Sequence, residues 1–267
     1  MSDRLDRHKI EEHIGIENTA ISFYLEDEVT STNDRVFALC QQEEQANFVA
    51  LCAEFQQQGR GRRGRTWFSR KGEGLMLSVG LTFSDEQAAV MQDWPFLTAL
   101  AVRRALLWYL DLDVAIKWPN DLLVDGKKIA GILIERRAKY PNRLILGIGM
   151  NVLTRKEEFE PDLQSRVTSL IELVKRPIDR SALAGEVIAA IYRTYVDVLQ
   201  GQRFHDLYDE FIASCETIGK RVTVHVGEHR HEGVVTKIDR EGTLFLQKEN
   251  GESVTLISGE IVMQIDQ

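Results

Sequence analysis

Seven consecutive residues, Gly59 to Arg65 (GRGRRGR), hold four arginines and three glycines. Guanidinium groups fork onto phosphate or carboxylate oxygens, and glycine between them lets backbone N–H groups approach a ligand closely. Such a segment can close over a phosphorylated ligand, bind RNA, or stand as a solvated loop. It lies between two apolar stretches that read as buried strands, ANFVALCAEF and GLMLSVGLTF, with Trp67 and Phe68 expected to anchor its exit. That placement favours a tethered loop beside a site.

Lys117 opens the run KWPND directly after the apolar VAI. Pro119 cannot donate to a strand ladder and restrains Trp118 before it, so the strand stops and Lys117 is held at its end. Lys117 is then a surface lysine or a cation facing an anionic ligand. In LILGIGMNV the two-residue period puts Gly147, Gly149 and Asn151 on one face and Leu146, Ile148 and Met150 on the other. Two glycines there either floor a flat ligand, with Asn151 beside it, or make room for a bulky neighbour. Gly131 in KIAGIL can extend the same face. Ser31, Thr32 and Asn33 precede DRVFALC, whose apolar residues recur at helical spacing, and they read as N-cap residues at a helix end that also suits anions. His225, His229 and His231 fall within HVGEHRH, but no cysteine or carboxylate cluster joins them at ligand spacing, so no metal site is expected.

The elements that must position these residues can be read in outline. Trp94 to Leu110 is apolar nearly all round and reads as a helix against a sheet. Asp125-Gly126 is the turn of an antiparallel hairpin between VAIKWPNDLLV and KKIAGILIE, and RLILGIGMNV is a further strand. Leu183, Val187, Ile191 and Val198, then Phe204, Leu207, Tyr208 and Phe211, mark two amphipathic helices. From about Gly219 short alternating strands take over (KRVTVHV, HEGVVTKI, TLFLQK, SVTLIS), with turns at Glu241-Gly242 and Asn250-Gly251. The expectation is an α+β unit over residues 1–216, with a central mixed or antiparallel sheet and flanking helices, and a small β-barrel over 217–267.

Composition narrows the setting. The chain has 267 residues, 43% hydrophobic and 28% charged, with a net charge of -8. This is a soluble globular composition, and the acidic balance argues against a general nucleic-acid binder, so the arginines act locally. Cys40, Cys52 and Cys215 are scattered, the start MSDRLDRHK lacks an apolar segment, and no apolar run reaches membrane-spanning length. A cytoplasmic protein with no membrane association is expected.

Taken in order, STN, AEFQQQGRGRRGRTW, KWPND, KIAGIL and GIGMNV resemble the biotin protein ligase family, from about Val29 to Val152 and more weakly through the C-terminal barrel. The resemblance implies a class II aminoacyl-tRNA synthetase-like catalytic domain followed by an SH3-like barrel. It implies that biotin and ATP with Mg2+ give biotinyl-5'-AMP, whose biotinyl group passes to a lysine of the biotin carboxyl carrier protein of acetyl-CoA carboxylase. By motif position, Ser31, Thr32, Asn33, Gln56, Arg60, Gly61, Arg62 and Lys117 would bind biotin. Arg62, Arg63, Arg65, Lys117 and Asn151 would meet ATP, with Lys117 and Arg62 as the catalytic cations. Only about thirty residues precede STN, which implies the form without an N-terminal DNA-binding domain, and so no DNA partner. A homodimer stays open. Gln58 stands where family members often have a smaller residue. A lipoate–protein ligase or octanoyltransferase of the same fold, or a non-catalytic biotin or adenylate sensor, are the competing readings.

Overall fold

The computed structural model describes residues 4–15, 20–257 and 259–263. Both outer ends of the two expected units, and Ser258 in the fourth alternating segment, lie outside the described residues. In chain order the elements are α1 (Arg7–Ile14), β1 (Ser22–Val29), α2 (Thr32–Gln42), β2 (Phe48–Gln56), β3 (Gly74–Thr82), α3 (Trp94–Leu110), β4 (Ala115–Lys117), β5 (Asp121–Val124), β6 (Lys127–Arg137) and β7 (Tyr140–Asn151). They continue through α4 (Leu170–Leu173), α5 (Arg180–Leu199), α6 (Tyr208–Ser214), β8 (Arg221–Val226), β9 (His229–Ile238), β10 (Leu244–Gln247), β11 (Ser253–Leu256) and β12 (Glu260–Met263).

Strands β1 to β7 form one seven-stranded sheet in the order β1-β2-β3-β7-β6-β5-β4. β1 runs parallel to β2 and every other pair is antiparallel, so the sheet is mixed. The parallel pair follows from α2, which carries the chain back to the starting end, as a parallel connection requires. β2 is buried on both faces, which explains its unbroken apolar run. On one side Val49, Leu51 and Ala53 pack with Val36, Leu39 and Cys40 of α2. On the other, Phe48, Ala50 and Cys52 belong to the main core with α3 and α5. The turn between β5 and β6 needs left-handed backbone at both central positions, Asp125 (φ 49°) and Gly126 (φ 71°), which an Asp-Gly pair tolerates.

The N-terminal helix and β1 carry too many charged residues for their pattern to show, and neither was expected from the sequence. α1 is held from beneath: the Leu5 amide donates to Glu54, whose other oxygen pairs with Arg180 at 2.9 Å, the arginine being 0% exposed. Arg180 also donates to the Gly74 carbonyl at 3.0 Å, which satisfies more of its buried donors. The single helix expected over Phe204 to Phe211 is instead a 3-10 turn, Phe204–Asp206, followed by α6. Arg203 and Phe204 both donate to Asp93, which holds the start of the 3-10 turn.

β8 to β12 form a five-stranded antiparallel sheet in the order β11-β10-β9-β8-β12. Val222, Val224, Val235, Ile238, Leu244 and Leu246 are buried in it and join the main core. Trp118 is the bridge: 1% exposed, it donates its indole N–H to the Gly242 carbonyl at 2.9 Å and its amide to Thr217 Oγ1 at 3.0 Å. Among the described residues no helix is long and apolar enough to cross a membrane.

Candidate functional site

Residues paired across neighbouring strands project from the same face of a sheet. Lys117 pairs with Asp121, Asp121 with Gly131, Gly131 with Gly149, and Gly149 with Met76. One row across five strands therefore reads cation, carboxylate, bare backbone, bare backbone, methionine. Gly147 lies two residues along the same face, opposite Ser78. A cavity of about 450 Å³ opens over this face, within the usual range for a small-molecule site.

Of the residues picked out by sequence, Ser31, Thr32, Asn33, Gln56, Arg60, Gly61, Arg62, Arg65, Lys117 and Asn151 all line the cavity, as do Gly131, Gly147 and Gly149. Arg63 does not: its guanidinium donates to the His225 carbonyl on β8. Arg63 sits in left-handed backbone (φ 55°) with its side chain exposed, and ties the loop tip to the C-terminal sheet rather than lining the cavity. Phe68, expected as an anchor, is 64% exposed at the cavity rim, so Trp67 alone anchors the loop exit. His225, His229 and His231 lie on β8 and β9, and among the described residues no group of three potential ligands gathers that could hold a metal ion.

The two readings of the glycine face converge. A Cβ on Gly149 would stand 2.5 Å from the Trp67 ring, and one on Gly147 would stand 2.4 Å from Asn33 Oδ1. The glycines make room for side chains that themselves line the cavity. Around Asn33 the polar groups interlock: Ser31 is in extended backbone at the start of α2 without making a side-chain cap, so the expected N-cap position holds but not its hydroxyl bond. Thr32 donates through its amide and hydroxyl to Gln56 Oε1, at 2.8 and 2.9 Å. Ser78 Oγ, fully buried, lies 2.6 Å from Asn33 Oδ1 and 2.8 Å from Thr32 Oγ1. Asn33 Nδ2 donates to Glu135 at 2.7 Å, and Asn151 Nδ2 to the Thr168 carbonyl at 3.0 Å.

The Arg/Gly segment is a small hairpin folded over the cavity. Gly61 N–H donates to the Arg65 carbonyl at 2.7 Å and Trp67 N–H to the Gly59 carbonyl at 2.9 Å. Only glycine fits at 59, since a Cβ there would stand 2.4 Å from the Trp67 carbonyl oxygen. Two arginines hold the hairpin down. Arg60 grips Asp34 at 2.5 and 3.0 Å and reaches Glu135 at 3.2 Å. Arg62 donates to Asn120 Oδ1 at 2.7 Å, while Asn120 Nδ2 donates to the Ile132 carbonyl at 2.6 Å. The hydrogen bonds from Arg60 hold the Asp34 carboxyl below its ordinary value, against burial.

The charge at the other end of the row is set by two lysines around one acid. Asp121 lies 2.7 Å from Lys128 Nζ and 3.2 Å from Lys117 Nζ. Burial pushes the Asp121 carboxyl up, but the Lys128 and Lys117 ammonium groups outweigh it, and the carboxyl stays below its ordinary value. Lys128 Nζ also stands 5.5 Å from the Trp67 ring centroid, a cation–π distance. Lys117 Nζ donates to the Ile261 carbonyl at 3.3 Å, so β12 helps to build the site. Lys128, Asp121, Ser78 and Ile261 were missed by sequence reasoning. Asp121 and Lys128 sit inside quoted motifs, but only strand register shows them to be neighbours. Ser78 had a signal, as the one polar residue within GLMLSVGL; Ile261 had none.

Comparison with known proteins bears on this geometry directly. The model of the biotin/lipoate A/B protein ligase family matches residues 26–151, and that of the biotin protein ligase C terminal domain matches 217–263. A biotin–[acetyl-CoA-carboxylase] ligase of Mycobacterium tuberculosis is 32% identical over 239 residues, covering 87% of this chain and 85% of the relative. The chain belongs to the biotin protein ligase family. The bifunctional ligase/repressor BirA of Escherichia coli is 30% identical over 218 residues, 80% of this chain and 66% of that protein's length. The biotin protein ligase of Aquifex aeolicus, solved in complex with biotin and ATP, superposes with a TM-score of 0.76 at 26% identity, covering 92% of this chain and 99% of that one. The first matched range carries every strand of the large sheet except the start of β1, and the second carries the sheet that contributes Ile261.

Proposed function

We propose that the chain attaches biotin to a protein lysine in two ATP-dependent steps at this cavity. In the first, a biotin carboxylate oxygen attacks the α-phosphorus of ATP, the bond to pyrophosphate breaks, and biotinyl-5'-AMP forms. In the second, an uncharged lysine amine attacks the acyl carbon, the anhydride C–O bond breaks, AMP leaves, and the nitrogen gives up its proton. The observation that carries the reading is the set of cations around a flat backbone floor. Two anions must be brought together in the first step, so catalysis rests on positioning and positive charge. Lys117, Lys128 and the hairpin arginines supply both.

Ser31, Thr32, Asn33 and Gln56 form the polar end that takes biotin, with Arg60 and Gly61 in the hairpin covering it. Arg62, Arg65 and Asn151 take the nucleotide, and Lys117 and Lys128 face the carboxylate and phosphate that react. The hairpin excludes water from an adenylate that would otherwise hydrolyse. Mg2+ is bound chiefly by substrate phosphates with one or two carboxylates. Of the acidic side chains among the described lining residues, Asp121 is taken up by Lys117 and Lys128, so Glu160 is the one that would help to hold an ion that neutralises phosphate charge. The acceptor is the biotin carboxyl carrier protein of acetyl-CoA carboxylase, as the name of the M. tuberculosis relative suggests. We divide the chain into a catalytic unit, 1–216, and a C-terminal unit, 217–267. The need for ATP and the free thiols Cys40, Cys52 and Cys215 fit the cytoplasm.

The test of transfer is direct. The chain, biotin, Mg-ATP and a purified carrier domain should yield a carrier heavier by one biotinyl group on a single lysine. A carrier of unchanged mass, with lipoate giving the adduct instead, would overturn the choice of biotin.

A further inference from the structure

Glu135 lies near the end of β6 with its side chain 33% exposed, yet it serves two parts of the site at once. Its Oε2 accepts from Asn33 Nδ2 at 2.7 Å and from Arg60 Nη2 at 3.2 Å. A carboxylate only accepts, so it dictates which way the Asn33 amide points: nitrogen toward β6, oxygen toward Ser78. Ser78, fully buried, closes the oxygen side at 2.6 Å, and the absent Cβ of Gly147 makes the space in which the amide stands. Arg60 belongs to the hairpin. One carboxylate thus touches both the group that orients the ligand and the group that holds the cover down.

We propose that Glu135 is a positioning residue that couples closure of the Arg/Gly hairpin to the orientation of Asn33 at the biotin end of the cavity. This rests on the ligase reading above. Asp34 supplies the contrast: it grips Arg60 at 2.5 and 3.0 Å and also pairs with Arg137, but its carboxylate has no bond to the Asn33 side chain. Both acids clamp the hairpin, and only Glu135 transmits that state to the ligand-orienting amide.

Two isosteric variants separate these roles, read by biotin KM in pyrophosphate exchange and by the rate at which preformed biotinyl-AMP leaves the protein. Asp34→Asn removes one clamp of a partly exposed ion pair while Glu135 still holds both Arg60 and Asn33, so it should release the adenylate about fivefold faster and raise the biotin KM by no more than about twofold. Glu135→Gln should speed release to a similar degree and also raise the biotin KM about tenfold, because the acceptor at Asn33 loses its charge and one amide oxygen must serve both Asn33 and Arg60. Glu135→Asp keeps the charge and should restore retention more than it restores KM. Thermal unfolding of each variant checks that the fold survives; if Glu135→Gln unfolds, Glu135→Asp carries the comparison. Glu135 variants that match Asp34→Asn in both readouts, or match the unaltered chain, would overturn the coupling. Failure of the unaltered chain to exchange pyrophosphate at all would instead overturn the ligase reading.

Discussion

Asp121 holds Lys117 and Lys128 at one end of the cavity through its charge. Its carboxyl is below its ordinary value of 3.8 in the folded chain, so its share of stability is present above that value and is lost as the pH falls through the folded one. Unfolding free energy measured by urea should therefore drop as the pH is taken below about 4, and Asp121→Asn should show a shallower drop. An equal slope in the variant would deny the acid this role. The two lysines differ in their surroundings: Lys128 stands over the Trp67 ring, whereas Lys117 is tied to the Ile261 carbonyl. Each faces charge that develops in the adenylation step, so Lys117→Ala and Lys128→Ala should each slow biotinyl-AMP formation by about a hundredfold. Rapid-quench measurement of the adenylate checks this, and a normal rate in both variants would remove them from the chemistry.

Strand register decides how much of the site could be read in advance. The alternation of LILGIGMNV correctly placed Gly147, Gly149 and Asn151 on one face, because period two needs no partner strand to be known. That Lys117, Asp121, Gly131 and Gly149 share a row could not be read, since it depends on a register shift between Leu122 and Leu123 within the β5–β6 pairing. For the same reason Lys117 was legible as a cation at a strand end, and Lys128, at the start of KIAGIL across the turn, was not. β1 was missed because Glu26, Asp27 and Glu28 mask its strand pattern at the sheet edge. Gly149→Val tests the glycine face. A side chain there meets the Trp67 indole, which must move, so the Trp67 contribution to fluorescence should change and biotinyl-AMP formation should fall by about tenfold or more. Unchanged fluorescence, compared against Trp67→Phe, would contradict the packing.

The molecule as a whole joins its two sheets through the motif that also carries Lys117. Trp118 donates to Gly242, Lys117 to Ile261, Arg63 to His225 and Tyr208 to the Ile238 carbonyl. The change in texture near Gly219 made the small β unit legible from sequence, but its share in the site was not, because backbone carbonyls leave no mark on residue type. Trp118→Ala should destabilise the chain by about 3–5 kcal/mol, as expected for a large side chain removed from a core. Far-UV and fluorescence transitions should coincide in the unaltered chain, as joined units require. Two well-separated transitions would show that the sheets unfold independently.

The central claim is that this cavity activates biotin by joining it to AMP. Biotin-dependent exchange of labelled pyrophosphate into ATP measures that step alone, with lipoate and octanoate as parallel acids. The account predicts Mg2+-dependent exchange with biotin and none with the other two. Exchange with lipoate or octanoate in place of biotin, or no exchange by folded protein with any of the three acids, would contradict it.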